Sequence, residues 1–316
     1  MYKQLIILGL LALLVFAGCQ EEISSSREEI VVEGWIESGS APVVILSKTF
    51  TVTTEEEIDE DESIVLPWGK VVVSDGTESV ILTGDYDERY VPPYIYSSSR
   101  IKGVPGRTYH LMVEYGDRVL TAQTTIPEID SLEALAVTPC ADADSMYQIT
   151  AYYDDNPVTK DYYLFLTRIF NKDTRYYPSL LGIADDSQLG LHNQQIVQPG
   201  IHMLSSDGKK YAPYFHEKDS VQIKFAKIDE TTYAIHKAYN EMVSLSSNPV
   251  FSSDISMPTN IQGGLGYWCG YAVTKYNVII VIIINTVAII FIRIINFLSF
   301  FASTIFLILY PSGSSK

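Results

Sequence analysis

Residues that carry most enzymatic and metal chemistry are scarce in this chain. It has three cysteines and five histidines among 316 residues, and the histidines are scattered, so none cluster at metal-ligand spacing. His216-Glu217 lacks a second histidine one turn later, and no Gly-x-Ser-x-Gly elbow occurs; the common zinc-protease and serine-hydrolase signatures are therefore absent. Positive charge is scarce too: 22 Lys and Arg stand against 38 Asp and Glu, a net charge of −16, without the basic excess that a nucleic-acid face requires. Gly263-Gly264-Leu265-Gly266 lacks the Lys-Ser/Thr of a phosphate cradle, and Tyr267-Trp268-Cys269-Gly270-Tyr271 after it reads as a strand. Those glycines are expected to allow a bulge or a close backbone approach. Asp142-Ala143-Asp144-Ser145 imitates the start of a calcium loop, but the turn glycine and distal glutamate are missing. The acidic run Glu55 to Glu62 reads as a solvated hairpin excursion, since like charges repel and extend. The expectation is a non-enzyme with no cofactor and no metal.

Long hydrophobic runs are confined to the two ends. Lys3 precedes an apolar run from Leu5 to Ala17, too short for a stable bilayer span and of the form of a secretory signal. Val15-Phe16-Ala17-Gly18-Cys19 resembles the bacterial lipoprotein box, with phenylalanine where leucine is usual. That resemblance implies a diacylglyceryl group and further acyl chains, such as palmitate, on Cys19, each buried methylene contributing about 0.8 kcal/mol to anchoring. Gln20-Glu21-Glu22 resembles the surface-export signal of Bacteroidota lipoproteins, and Ser24-Ser25-Ser26 continues it as a tether. Residues 1–18 are thus read as signal peptide and 19–28 as tether. At the other end, 277–310 is nearly charge-free except for Arg293 and is expected to be helical. Two readings of it stand: a transmembrane helix, or a shifted reading frame following a native end near Tyr276, because outer-membrane proteins cross as barrels.

Between these ends lies material for a core, 47% hydrophobic and 12% aromatic. Ile30 to Glu37 alternates, with Val32, Gly34 and Ile36 on one side and Val31, Glu33 and Trp35 on the other. Ser74-Asp75-Gly76 and Gly116-Asp117 supply hairpin turns. Strands at this spacing predict an antiparallel β-sandwich over 29–126, of immunoglobulin-like or carboxypeptidase-regulatory-like type. A junction at Pro127 to Ser131 precedes a second β-rich domain over 131–276. There Val221, Ile223 and Phe225 share a strand face, and Asn171 to Gly200 reads as a polar excursion. One short helix follows Asp229 as cap, with Ile235, Tyr239, Met242 and Val243 at helical spacing before Ser246-Ser247-Asn248-Pro249 stops it. The fold class is therefore mainly β, with an apolar C-terminal helical tail. Cys140 and Cys269 remain after Cys19, and their spacing does not decide whether they pair.

In order along the chain, "VVEGWI", "GVPGRTYHLMV", "DYYLF" and "NPVFSSDISMPTNIQGGLGYWCGYAVTKY" resemble a Bacteroidota lipoprotein family catalogued as domain of unknown function 4249. The resemblance runs from about Ile30 to Tyr276 and implies a β-rich protein of the outer membrane, often encoded beside TonB-dependent transporters. It brings no catalytic residues.

Twenty-two tyrosines are the one rich resource. The pairs Tyr152-Tyr153, Tyr162-Tyr163 and Tyr176-Tyr177, with Tyr94 and Tyr96, offer stacking surfaces for sugars or peptides, although sheets also use tyrosine as half-buried filler. Trp68, Tyr94 and Tyr96 are the preferred ligand candidates, because proline and glycine place them near loops. The expected function is a lipid-anchored, surface-facing outer-membrane module that captures a nutrient for a TonB-dependent transporter. A surface hydrolase with an unrecognised carboxylate pair, and a structural adhesin, are the alternatives.

Overall fold

The computed structural model describes residues 28–49, 64–140, 145–185, 190–200, 212–246 and 257–281. Sixteen strands run in chain order: β1 (Ile30–Glu37), β2 (Val43–Lys48), β3 (Lys70–Ser74), β4 (Ser79–Ile81), β5 (Thr83–Tyr86), β6 (Tyr94–Ser97), β7 (Thr108–Tyr115) and β8 (Arg118–Thr125), then β9 (Ala134–Pro139), β10 (Met146–Asp154), β11 (Tyr162–Ile169), β12 (Tyr177–Asp185), β13 (His192–Val197), β14 (Phe215–His216), β15 (Ser220–Ile228) and β16 (Leu265–Ile279). Among the described residues one helix, α1 (Glu230–Ser246), lies between β15 and β16. The chain is mainly β, and among the described residues no helix is long and apolar enough to cross a membrane.

Eight strands form one sheet in the order β12-β11-β15-β16-β1-β2-β6-β5, and two smaller sheets, β4-β3-β7-β8 and β13-β10-β14 with β9 on β10, complete the fold. Alternation decides which residues go where, since successive side chains in a strand point to opposite faces. Val32 and Ile36 of β1 and Trp268 and Ala272 of β16 meet Val71, Val73, Leu111 and Val113 of the first small sheet in one core. Further along the same face, Phe225, Tyr276 and Val278 meet Ile149, Ala151 and Tyr153 of the second small sheet in another. One face of the large sheet therefore carries two cores side by side. Its other face holds Cys269, Tyr271 and Val273, packed with Ile235 of α1.

The longest strand joins these regions. The first half of β16 pairs parallel with β1, Leu265 to Tyr271 against Val31 to Glu37. The second half pairs antiparallel with β15, Ala272 to Ile279 against Lys227 to Ser220. Trp268 anchors the parallel half: it is fully buried, and its indole Nε1 donates to the carbonyl of Tyr109 at 3.1 Å. The Asn260 side chain brackets the Trp268 backbone, donating to its carbonyl at 2.8 Å and accepting from its amide at 2.9 Å. Opposite the indole lies Gly34, where a Cβ would sit 2.8 Å from the ring. Gly266, at φ +104°, would drive a Cβ into the carbonyl oxygen of Val32, so the close approach expected of the glycine cluster is what the strand uses.

Most of the local expectations hold. Asp75 and Gly76 (φ +84°) turn the β3–β4 hairpin, with the Asp75 carboxylate accepting from the amides of Thr77 and Glu78, and Gly116 (φ +60°) turns β7 into β8. The Asp229 carboxylate caps α1 by accepting from the amide of Thr232 at 2.7 Å. Three expectations are corrected. The first sandwich contains one parallel pair, β1 with β16; the partners come from distant parts of the chain, so no hairpin forces them antiparallel. The supposed excursion at Asn171 to Gly200 contains β12 and β13: the buried positions of β12 are the small residues Ser179, Gly182 and Ala184, and β13 buries only Val197 behind a polar run, so no apolar alternation marks either strand. And Asn277 to Ile279 continue β16, with Val278 and Ile280 buried in the second core, so the apolar text starts as strand. Its remainder from 282, together with Cys19, the acidic run at 55–62 and the calcium-like loop at 142–144, lies outside the described residues.

Replacing Gly266 by alanine is expected to destabilise the protein by at least about 2 kcal/mol. Gly76→Ala, also at positive φ but with nothing within 4 Å of the added methyl, should cost about 1 kcal/mol. Denaturant unfolding of both variants checks the contrast.

Candidate functional site

The face of the large sheet not used by the two cores is covered in part by α1, and beside the helix a cleft of about 670 Å³ remains, within the ordinary range for small-molecule sites. Its floor is the odd-numbered face of β1, Glu33, Trp35 and Glu37, with Tyr267 and Tyr271 of β16 and Lys224 of β15. Residues His236 and Tyr239 of α1 form one wall. The loops at 88–91 and 174–176 and the start of β12 supply Arg89, Tyr90, Arg175, Tyr176 and Tyr177 opposite.

Charges on the floor are paired. Lys224 Nζ lies 2.5 Å from Glu37 Oε1, the two side chains being 9% and 11% exposed, and the ammonium also sits 4.1 Å from the centre of the Tyr176 ring. Burial lowers the Lys224 pKa while the Glu37 charge opposes it, so this is a charge pair enclosed by aromatic and backbone atoms rather than a solvated one. Glu33 is different in kind. Burial pushes its carboxyl above the usual value; Arg175 nearby and the Tyr267 hydroxyl, which donates to it at 3.4 Å, act the other way. At the helix wall, His236 Nε2 and the Tyr271 hydroxyl lie 3.1 Å apart, and burial drops the imidazole to about 4, leaving it neutral at physiological pH.

Aromatic rings line the mouth. Trp35 and Tyr90 approach to 5.9 Å between ring centres, and the Arg175 guanidinium lies 5.3 Å from the Tyr90 ring and 5.2 Å from that of Tyr177. The arrangement suits a ligand with a flat face and polar substituents: rings to stack on, and both signs of charge to orient it. Glu33 and Glu37 do not form a close pair. Four residues apart on one strand, their Cα atoms are about 13 Å apart, and Glu37 is neutralised by Lys224.

The three aromatic residues favoured from sequence fall elsewhere. Trp68, at φ +73° and 89% exposed, stands in solvent. Tyr96 is buried in the first core, its hydroxyl donating to the carbonyl of Leu66 and accepting from the amide of Gly69, both at 2.9 Å. Tyr94 packs edge-on against Tyr96 at 5.5 Å. These residues are neighbours, but two of the three are structural. Of the tyrosine pairs, Tyr176-Tyr177 reaches the cleft, whereas Tyr153 and Tyr163 are packed in the second core. The cleft residues escaped notice because they come from separate stretches of chain scattered from β1 to β16. One signal was legible: the face of β1 opposite the core carries Glu33 and Trp35, an unusual pair for a face turned only to water.

Elsewhere, Glu133 just before β9, Asp154 of β10 and His192 of β13 bring ligand atoms within 4.8 Å of one another, all exposed. His192 Nδ1 lies 2.6 Å from Asp154. Cys269 is a buried free thiol, so it does not pair with Cys140, and burial raises its pKa to about 12.

Residues 20–277 match the family described as Domain of unknown function (DUF4249). None of the curated proteins matches the chain. Among solved structures, "Crystal structure of domains A168-A170 from titin" aligns with 64% of this chain and 61% of its own length, at 9% identity and a TM-score of 0.19, too low for any inference from it.

Two outcomes follow from the floor of the cleft. Lys224→Met alone should destabilise by about 3–5 kcal/mol, because it strands a buried carboxylate, and Lys224→Met with Glu37→Leu should recover most of that loss; thermal and denaturant unfolding of the two variants decides it. For Glu33, a carboxyl with a raised folded pKa binds its proton more tightly in the native state. Its contribution therefore favours folding most below the unfolded value and turns against folding as pH climbs through the folded one. Glu33→Gln should gain stability relative to wild type as pH rises above the unfolded carboxyl value, the gain levelling off once pH passes the raised folded one, as read by unfolding midpoints at each pH.

Proposed function

The chain belongs to the family of domain of unknown function 4249, and from that premise we propose that it is a non-catalytic capture module that holds a small ligand in the cleft over β1, β15 and β16. The observation that carries the reading is the cleft itself: a cavity of about 670 Å³ floored by a rigid sheet and rimmed by Trp35, Tyr90, Tyr177 and Tyr239. Aromatic side chains on fixed elements bind ligands with little ordering cost. The leader motif adds an address: Cys19 carries the acyl chains, Gln20-Glu21-Glu22 directs export, and the body works at the outer face of the outer membrane beside a TonB-dependent transporter. Tethering would then raise the local ligand concentration at the pore without any chemistry. The same proposal takes residues 29–126 as an immunoglobulin-like sandwich. Supporting it, the buried Tyr109 at the start of β7 donates its hydroxyl back to the carbonyl of Lys102 at 2.9 Å, the manner of a tyrosine corner.

A second reading, a surface hydrolase, draws on the raised pKa of Glu33. It ranks below capture because the nearest acid along the strand, Glu37, is already paired with Lys224, whereas glycoside cleavage by retention needs two carboxyls about 5–5.5 Å apart.

Native mass spectrometry of the chain incubated with mixed sugars and short peptides tests capture. A stoichiometric adduct on the wild type that is lost in Trp35→Ala and Tyr239→Ala is expected; adducts unaffected by either change, or turnover of the ligand, would contradict the reading. Cys19→Ser expressed in a cell that processes lipoproteins should move the protein from the membrane fraction to the soluble fraction, and wild-type protein lacking acyl mass on Cys19 would refute the anchor.

A further inference from the structure

The cleft's charges are out of keeping with the chain that surrounds them. The whole protein carries −16 and on that ground repels anions at a distance. Yet the cleft is lined by Arg89, Arg168, Arg175 and Lys224 against Glu33, Glu37 and Glu88, and burial works against the charge on Glu33. The cations are not equivalent. Arg89 is held by Asp87 at 2.5 Å, Lys224 by Glu37 at 2.5 Å, and the Nε of Arg168 donates to the carbonyl of Asp173 at 3.3 Å. Arg175 has no hydrogen bond and no ion pair among the described residues; its contacts are the rings of Tyr90 and Tyr177.

We propose that Arg175 is an anion-holding group and that the cleft selects ligands in which a carboxylate or phosphate-type anion is attached to a flat ring. This rests on the capture reading above and names the ligand class of that same site. A guanidinium set against two aromatic rings is restrained in orientation and partly stripped of water, while its N–H edge stays available. That edge matches two oxygens of a carboxylate or phosphate in parallel hydrogen bonds. Among the described residues no carboxylate is ion-paired with it: Glu37 is occupied by Lys224, Glu88 lines the cleft without bonding Arg175, and Glu33, on which Arg175 acts only through its charge, is disfavoured as an anion by burial. The ring of the ligand has its own partners in Trp35 and Tyr90, whose centres lie 5.9 Å apart at a tilt of 41°.

Matched probes separate this inference from the capture reading beneath it. Binding of aromatic carboxylates and their neutral primary amides, for example indole-3-acetate and indole-3-acetamide, is measured on the full chain by titration calorimetry and ligand-observed NMR, with inorganic phosphate as competitor. The acids should bind about 10-fold more tightly than the amides, the worth of one hydrogen-bonded charge, and phosphate should compete with the acids only. Arg175→Gln should bring the acid-to-amide ratio to about one, and Arg175→Lys, which keeps the charge but not the fork, should leave a preference between the two. Unfolding curves establish that each variant is folded, and the lysine variant carries the test if the glutamine variant is not. Equal binding of acid and amide by the wild type overturns the anion selection while the capture reading stands. An acid preference that survives Arg175→Gln overturns the assignment to Arg175, and binding of neither probe class overturns both.

Discussion

One fifteen-residue strand has to satisfy two different neighbours. Over its first half β16 lies parallel to β1, where the backbone must come close enough that Gly266 tolerates no side chain; over its second half it lies antiparallel to β15. Trp268 sits in the parallel half, three residues before its end at Tyr271, its indole buried in the first core and tied to Tyr109, its backbone bracketed by Asn260. Eight residues on, Tyr276 enters the second core. Because backbone hydrogen bonds and alternate side chains are committed on the same strand, the register that buries Trp268 also dictates which residues bury Tyr276 and Val278. A slip of one residue would turn both sets to the wrong face.

That commitment of one face is what frees the other. Two small sheets cover the even-numbered side chains of β16, so the odd-numbered ones are left to α1 and to a cleft. Beside the helix the uncovered part of that face carries the Lys224–Glu37 pair, Glu33, tyrosines and a tryptophan among its aliphatic residues. A face meant only to be closed off would be better served by leucine and valine, since buried ion pairs contribute little net stability. Retaining Lys224, Glu37 and Glu33 there makes structural sense chiefly if something polar is meant to bind.

Much of the fold was legible before any coordinates. Alternation in β1 and β15, the Asp-Gly and Gly-Asp turns and the Asp229 cap are local signals, governed by one strand's pleat, one residue's φ or one carboxylate's reach, and such signals survive in a single sequence. What was lost was non-local. The polar alternation of β12 and β13 is weak because their outward faces are solvated, and the parallel pairing of β1 with β16 joins residues more than two hundred positions apart. The cleft suffered most. Loop position suggested Trp68, Tyr94 and Tyr96, yet Tyr96 proved to be core, because proximity to proline and glycine says where a chain turns and not which face a ring takes. Family membership places the chain among proteins of undescribed function, so the physical reading of the cleft carries the functional argument.

β16 couples the two cores into one cooperative unit, and hydrogen exchange of Trp268→Ala probes that coupling. Removing a fully buried indole should weaken the first core by about 3–5 kcal/mol. If the strand couples the cores, amides of β10 and β15 lose protection together with those of β1 and β7 and by a similar factor, about 100-fold or more. Loss of protection confined to β1, β3, β7 and β8, with β10 and β15 unchanged, would show two independent units and contradict the account.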